Sequence, residues 1–350
     1  MTGSALKDID LIILAVVGSF AVMIVLTSMF VGWPSRRFAK SLVRPIMVLQ
    51  DGVRLIANGN LEHVIDIRTG DEIEELGVSV NKMSLGLKSY IANLQSVTAE
   101  KERIGAELDV ATKIQASMLP CIFPAFPERA EFDIFASMLP AKEVGGDFYD
   151  FFLIDGDTLA VVIADVSGKG VSAALFMVIA KTLIKNNAQY GKNPKEVFET
   201  VSNLLCENNE AWMFVTAFLG YLDIPSGRFT FVNAGYNPPL LRGGSTYSWL
   251  KAKAGFVLAG MEGLSYTMNE VMLNPGDCLF LYTDGVTEAA DRENRLFGDA
   301  RLLESVNKHS GLELKAFIAE IKNSIDIFAG GAEQADDITM LILRYKEAIT

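Results

Sequence analysis

The stretch GGDFYDFFLIDGDTLAVVIADVSGKG, residues 145–170, decides the fold. Residues 148–154 and 158–165 are apolar runs rich in aromatic and β-branched side chains. Asp155-Gly156-Asp157 between them is a turn signature, so the two runs are read as a β-hairpin. The hairpin is preceded by one acid, Asp147, and ends on another, Asp165, both close to glycine. Glycine lets backbone, carbonyl included, come close to a bound ion.

Outward from the hairpin the same alternation continues. Residues 132–138 are read as a strand, and 214–222 pairs with 228–234 across Ile224-Pro225-Ser226-Gly227. Residues 278–283 and 338–344 are further apolar, β-rich runs, while 171–188, 194–208, 299–308 and 313–328 are read as helices. Hairpins mixed with helices predict an α+β domain of sheets covered by helices, not a doubly wound βαβ fold.

Four acidic segments interrupt these strands: Glu143 to Asp150 around Asp147, Ala164 to Gly170 around Asp165, Leu281 to Glu288 around Asp284, and Ala335-Asp336-Asp337-Ile338-Thr339. Each puts an aspartate at or beside a strand end, where residues distant in sequence can meet. Converging carboxylates repel one another unless cations intervene, and all-oxygen ligation selects Mg²⁺ or Mn²⁺ over zinc. Two such ions can activate water for attack on a phosphoryl group. Taken singly, each aspartate is equally at home as a turn or cap residue.

Composition narrows the chemistry. A net charge of -12 argues against nucleic acid as a partner. Only two histidines, His63 and His309, are present and neither lies in a polar motif, which disfavours histidine triads, zinc sites and a phospho-accepting histidine. Cys121, Cys206 and Cys278 show no ligand spacing and no disulfide framework, and are read as small apolar residues in a reducing compartment.

The N-terminal third has another character. Residues 11–33, LIILAVVGSFAVMIVLTSMFVGW, contain no charge over 23 positions. As a helix they extend roughly 35 Å, enough to span a bilayer. The run is too long for a signal-peptide core and lacks a cleavage site after it. Arg36, Arg37, Lys40 and Arg44 follow it, against Lys7, Asp8 and Asp10 before it. The positive-inside rule then puts everything after Trp33 in the cytoplasm, anchored by one pass. Ten residues precede the span, and no extracytoplasmic sensor is expected within them.

Leu42, Ile46, Leu49, Val53 and Ile56 make a first heptad seam, broken at Ala57-Asn58-Gly59-Asn60. A connector with Leu61, Ile65 and Ile67 leads to a second helix opening at Asp71-Glu72. Its seam runs Leu76, Val80, Met83, Leu87, Tyr90, Leu94, Val97, Lys101, Ile104, Leu108, Ala111, Gln115, Met118, apolar at 11 of 13 positions, and ends at Pro120. So long a seam predicts a parallel coiled-coil homodimer, with its last turns also able to pack on the following domain. The elements Arg44-Pro45-Ile46, Asn58-Gly59-Asn60-Leu61-Glu62, Gly70-Asp71-Glu72-Ile73 and Asn81-Lys82-Met83 resemble a HAMP linker domain of bacterial membrane receptors. That resemblance implies a four-helix bundle formed by two chains, which relays small helix movements.

The four acidic segments in their order, with Ile114 to Pro120, Val215-Thr216-Ala217-Phe218 and Asn233-Ala234-Gly235, resemble the PPM, protein-phosphatase-2C-like serine/threonine phosphatases of the sporulation-stage-II-protein-E branch. The likeness covers residues 110–346. It implies an αββα sandwich of two antiparallel sheets flanked by helices. It implies two divalent cations, Mn²⁺ or Mg²⁺, with Asp165 on both, assisted by the Val166 carbonyl, Asp147 on the second, and Asp284 and Asp336 on the first. Asp337 is the alternative to Asp336. Asp165 and Asp147 would act through activated water.

Where the family often has histidine after Asn-Ala-Gly, this chain has Tyr236, a poor proton shuttle at neutral pH. Lys169 is read either as a phosphate contact or as a solvated residue capping the turn before Val171. The expected organisation is a transmembrane helix (1–33), HAMP domain (34–86), coiled-coil helix (87–119) and phosphatase domain (120–346). It is expected at the bacterial inner, cytoplasmic, membrane. The expected function is hydrolysis of phosphoserine or phosphothreonine on a regulatory protein, by resemblance a STAS-type anti-sigma-factor antagonist. The alternatives are an inactive signalling scaffold and a receptor coupled to a separate kinase through its coiled coil.

Overall fold

In lipid an uncharged apolar stretch satisfies its backbone only by closing every hydrogen bond within itself, and the chain is helical from Gly3 to Phe38. The computed structural model describes residues 3–346, with side chains from residue 13. The side chains of Lys7, Asp8 and Asp10, one half of the orientation argument, lie outside the described residues, as do Met1 and Thr2 at the start of the expected anchor. Helix α1, Gly3–Phe38, passes through a π-helical turn, Ala39–Val43, into α2, Arg44–Ala57. The helix Ile13–Ala57 is long and apolar enough to cross a membrane, with mean hydropathy 2.4 over its most apolar stretch and none of that stretch buried. Its hydroxyls turn inward: Ser19 donates to the Val16 carbonyl and Thr27 to that of Met23. Arg36 and Arg37 close α1 at its positive-side end.

The chain divides into two compact units after Ile104. In the first, α2 stops where Gly59 takes φ +95°. The connector then returns Ile65 and Ile67 to a small core with Ile56, bordered by Leu49, Leu61, Ile73 and Val80. Helix α3, Glu72–Met118, pins this connector through polar side chains. Asn81 bonds both the N–H and the C=O of Ile65, and Ser84 donates to the Leu61 carbonyl. Gly52 has to be glycine, since a Cβ there would meet the Ile65 side chain at 2.5 Å. The predicted break, connector and second helix are all present. Beyond this core the seam positions Met83, Leu87, Tyr90, Leu94, Val97 and Ile104 are exposed.

The second unit contains two five-stranded antiparallel sheets. One has the order β1 (Phe132–Leu139), β10 (Ile338–Tyr345), β9 (Cys278–Tyr282), β6 (Leu240–Gly243), β7 (Thr246–Trp249). The other has β2 (Phe148–Leu153), β3 (Thr158–Val166), β4 (Val215–Asp223), β5 (Arg228–Ala234), β8 (Asn269–Met272). Successive strand side chains face opposite ways, and the core divides accordingly. Leu279, Leu281, Leu341 and Leu343 pack inward with Val161, Ile163, Phe218 and Phe231 of the other sheet. Phe280, Tyr282, Met340 and Ile342 face outward under α7 (Gly298–Lys308) and α8 (Leu314–Ala329), through Leu302, Phe317 and Ile321. Helices α4 (Val171–Gln189) and α5 (Pro194–Cys206) bring Met177, Ile184, Phe198 and Val201 to the second sheet. Asn193 and Glu196 form a reciprocal capping box that starts α5 at its proline. This is the predicted αββα sandwich.

Candidate metal centre

The four aspartates reach one end of the sandwich by strand register. Phe148 pairs with Ala164, so Asp147 stands opposite Asp165. On the other sheet Met340 pairs with Tyr282, which sets Thr283 opposite Thr339. Asp284 follows Thr283 and opens the short helix α6, Asp284–Thr287, while Asp336 and Asp337 lead into β10. Each sheet therefore contributes two of the predicted ligands.

Cross-sheet hydrogen bonds hold this end together. The Thr283 hydroxyl donates to Asp147 Oδ2 at 2.7 Å and accepts from the Thr339 N–H at 3.0 Å. Asp337 is committed to backbone: its carboxylate accepts from the N–H groups of Ala141 and Gly146, both at 2.8 Å, and of Asp147 at 3.4 Å. Asp336 is differently placed, with Oδ2 2.9 Å from Lys169 Nζ. Lys169 also donates to the Ala335 carbonyl. It neither caps the turn before α4 nor stands free; it bridges the loop after β3 to the loop before β10. Gly145 and Gly285 are spatial requirements, because a Cβ on either would run into Asp337. A Cβ on Gly146 would lie 2.8 Å from the Val166 carbonyl oxygen. That carbonyl is one of the predicted ligands.

Burial and mutual repulsion disfavour charge here. Asp147 is buried, and desolvation followed by the charge on Asp165 pushes its pKa well above the carboxylate range; the Thr339 and Thr283 hydroxyls oppose this. Asp165 is pushed up to about 7, by burial first and then by Asp284 and Asp336. Asp284 is raised by burial, then by Glu288 and Asp336. Asp147 and Asp165 are close enough to hydrogen-bond each other. Among the described residues no three acids, histidines or cysteines are drawn to the spacing that holds an ion. The donor set nonetheless fits hard divalent cations: oxygen-only, anionic, glycine-lined and short of positive charge.

Three contributors were not legible as such in the sequence. Gln115, a polar break in the α3 seam, bonds the Gly145 carbonyl at 2.6 Å and its N–H at 3.1 Å. Thr283 was visible only as a neighbour of Asp284. Asp150 is buried in an ion pair with Lys181, with Lys185 at 3.5 Å, and so ties β2 to α4. A polar residue inside an apolar period was the available signal for Gln115.

Residues 155–346 match the family model "Stage II sporulation protein E (SpoIIE)", and residues 37–89 match "HAMP domain". The first match takes in Asp165, Asp284 and Asp336 and begins after Asp147. Protein IcfG of Synechocystis sp. is 30% identical over 324 residues, covering 85% of this chain and 50% of IcfG. The chain thus spans half the length of that relative. Phosphoserine phosphatase RsbU of Bacillus subtilis is 29% identical over 254 residues, 72% of this chain and 74% of RsbU. The structure of the SiaA-PP2C domain of Pseudomonas aeruginosa superposes with a TM-score of 0.63 at 25% identity, covering 71% of this chain and 99% of that domain. With its two sheets, its acidic strand ends and these matches, the chain belongs to the stage II sporulation protein E family, with a PP2C-like phosphatase domain carried behind a HAMP domain.

Proposed function

We propose that the chain is a membrane-anchored, metal-dependent phosphatase that removes phosphate from phosphoserine or phosphothreonine on a regulatory protein. The observation that carries this reading is the convergence of acids from both sheets at one end of the sandwich, where burial and neighbouring acids push the Asp165 pKa up. Such a group is stable as carboxylates only with cations. Two Mn²⁺ or Mg²⁺ ions would supply charge neutralisation and an activated water for in-line attack. Asp165 and the Val166 carbonyl, Asp147, Asp284 and Asp336 are the residues to hold them. Asp336 is favoured over Asp337 because the latter is already engaged by three amides. Thr283 orients Asp147 from the opposite sheet.

The name of RsbU as a phosphoserine phosphatase supports the substrate class. Family resemblance supports a STAS-type protein as the particular substrate. The apolar helix Ile13–Ala57 supports a single-pass membrane anchor with the catalytic domain in the cytoplasm. The exposed seam on α3 supports a homodimer formed through HAMP and coiled coil. The test is hydrolysis of p-nitrophenyl phosphate and of a phosphoserine peptide by the detergent-solubilised chain, with Mn²⁺ or with EDTA. Turnover that needs Mn²⁺ and is lost in Asp165→Asn is expected; turnover unaffected by either change would overturn the reading.

A further inference from the structure

Strand β5 ends at Ala234, and the chain then leaves the sheet at Gly235 with φ +69°. Gly235 bridges to Ala217 of β4, whose other neighbour is Ala164, the residue before Asp165. Tyr236 therefore starts one strand away from the acid proposed to serve both cations. Its backbone is clamped: Asn233 accepts from the Tyr236 N–H at 2.7 Å and donates to its carbonyl at 2.9 Å. A side chain on Gly235 would strike Val257 at 2.8 Å, so this exit from the sheet has one available course.

The Tyr236 side chain is 5% exposed, and its hydroxyl has no hydrogen-bond partner. A buried hydroxyl left unbonded is unfavourable, and phenylalanine would avoid the penalty. The carboxylates whose charge acts on this hydroxyl are Asp147, Asp165 and Asp284, drawn from both sheets. None of them accepts its proton, so the donor is left for a group that lies among them. We propose that Tyr236 Oη donates a hydrogen bond to a phosphoryl oxygen of the substrate seated at the four-aspartate centre. This rests on the phosphatase reading above and adds a substrate-contacting residue to it. Burial keeps the phenol protonated, so it acts as a fixed neutral donor and not as a proton carrier.

The test compares the full-length chain with Tyr236→Phe and Tyr236→His, using two titrations followed by calorimetry: Mn²⁺ alone, then inorganic phosphate onto the Mn²⁺-loaded protein. Tyr236→Phe keeps the ring and removes only the unpartnered hydroxyl, so folding is preserved; the melting temperature checks this. The expected result is unchanged Mn²⁺ affinity with phosphate binding weakened about ten-fold or more, the loss typical of a hydrogen bond to a charged group. Tyr236→His, which restores a ring donor, should recover part of that loss. Equal phosphate affinity in parent and Tyr236→Phe would overturn the inference alone. A loss confined to Mn²⁺ binding would overturn it too, by assigning the hydroxyl to the cations. Absence of phosphate binding in the Mn²⁺-loaded parent would remove the underlying phosphatase reading as well.

Discussion

Acidification should drive cations from this protein, and the slope can be worked from Asp165. Its pKa of about 7 lies well above the 3.8 of an ordinary aspartate. At about 1.4 kcal/mol per unit, roughly 4 kcal/mol opposes a charged Asp165 in the metal-free fold. Below about pH 7 each cation that takes this carboxylate must first displace its proton, so apparent affinity should fall about ten-fold per pH unit. Asp147 is raised further, by burial and by Asp165, and makes the fall steeper wherever it too holds a proton.

Between the unfolded and folded pKa of Asp165 the native chain holds more protons than the unfolded chain. The metal-free protein therefore loses stability as pH rises from about 4 to about 7, and added Mn²⁺ cancels the trend. Calorimetric Mn²⁺ titrations near pH 6, in two buffers of different ionisation enthalpy, count the protons released. About one or more is expected. No proton release, together with an affinity that is flat from about pH 5 to 8, would refute the argument that these buried acids are the ligands.

Two further outcomes separate roles that adjoin in sequence. Asp337→Ala should destabilise the fold by a few kcal/mol, on the order of 1–3 for each lost charged hydrogen bond, read by chemical denaturation. Asp336→Asn should leave stability within about 1 kcal/mol and instead weaken Mn²⁺ binding, so equal destabilisation by both would contradict the assignment. Deleting four residues around Val97, which breaks the phase of the α3 seam, should alter activity in membranes while leaving Mn²⁺ affinity unchanged; a variant with unaltered regulation would rule out the relay.

The hairpin 148–165 and the long strands were readable because each is an apolar run bounded by turn chemistry. Strands β6 and β7 have four residues each and β8, Asn-Glu-Val-Met, has one residue of alternation on either side, so no periodic signal could separate them from loop. Apart from the β6–β7 hairpin itself, their places in the sheets are set by partners more than 30 residues away. The site was half legible. Acids at strand ends show in sequence, and the choice between Asp336 and Asp337 does not, because it depends on three amides at Ala141, Gly146 and Asp147. Thr283 was invisible for the same reason: its partner, Asp147, is 136 residues distant. The exposed seam of α3 was the reverse case, a pattern plain in sequence whose positions Met83, Leu87, Tyr90, Leu94, Val97 and Ile104 stay exposed in the fold.

The division of the acids, Asp147 and Asp165 on one sheet and Asp284 and Asp336 on the other, makes the sandwich a calliper. Cations gathered at its open end would rivet one jaw to the other, beside the bond from Thr283 to Asp147 and those from the Gly146 and Asp147 N–H groups to Asp337. The gap between the jaws is set by the leucine and phenylalanine side chains packed between the sheets. Trimming that filling, for example at Leu281 or Phe218, would narrow or tilt the calliper and change which ion radius it grips. Ion preference would thereby be a property of the hydrophobic core as much as of the carboxylates.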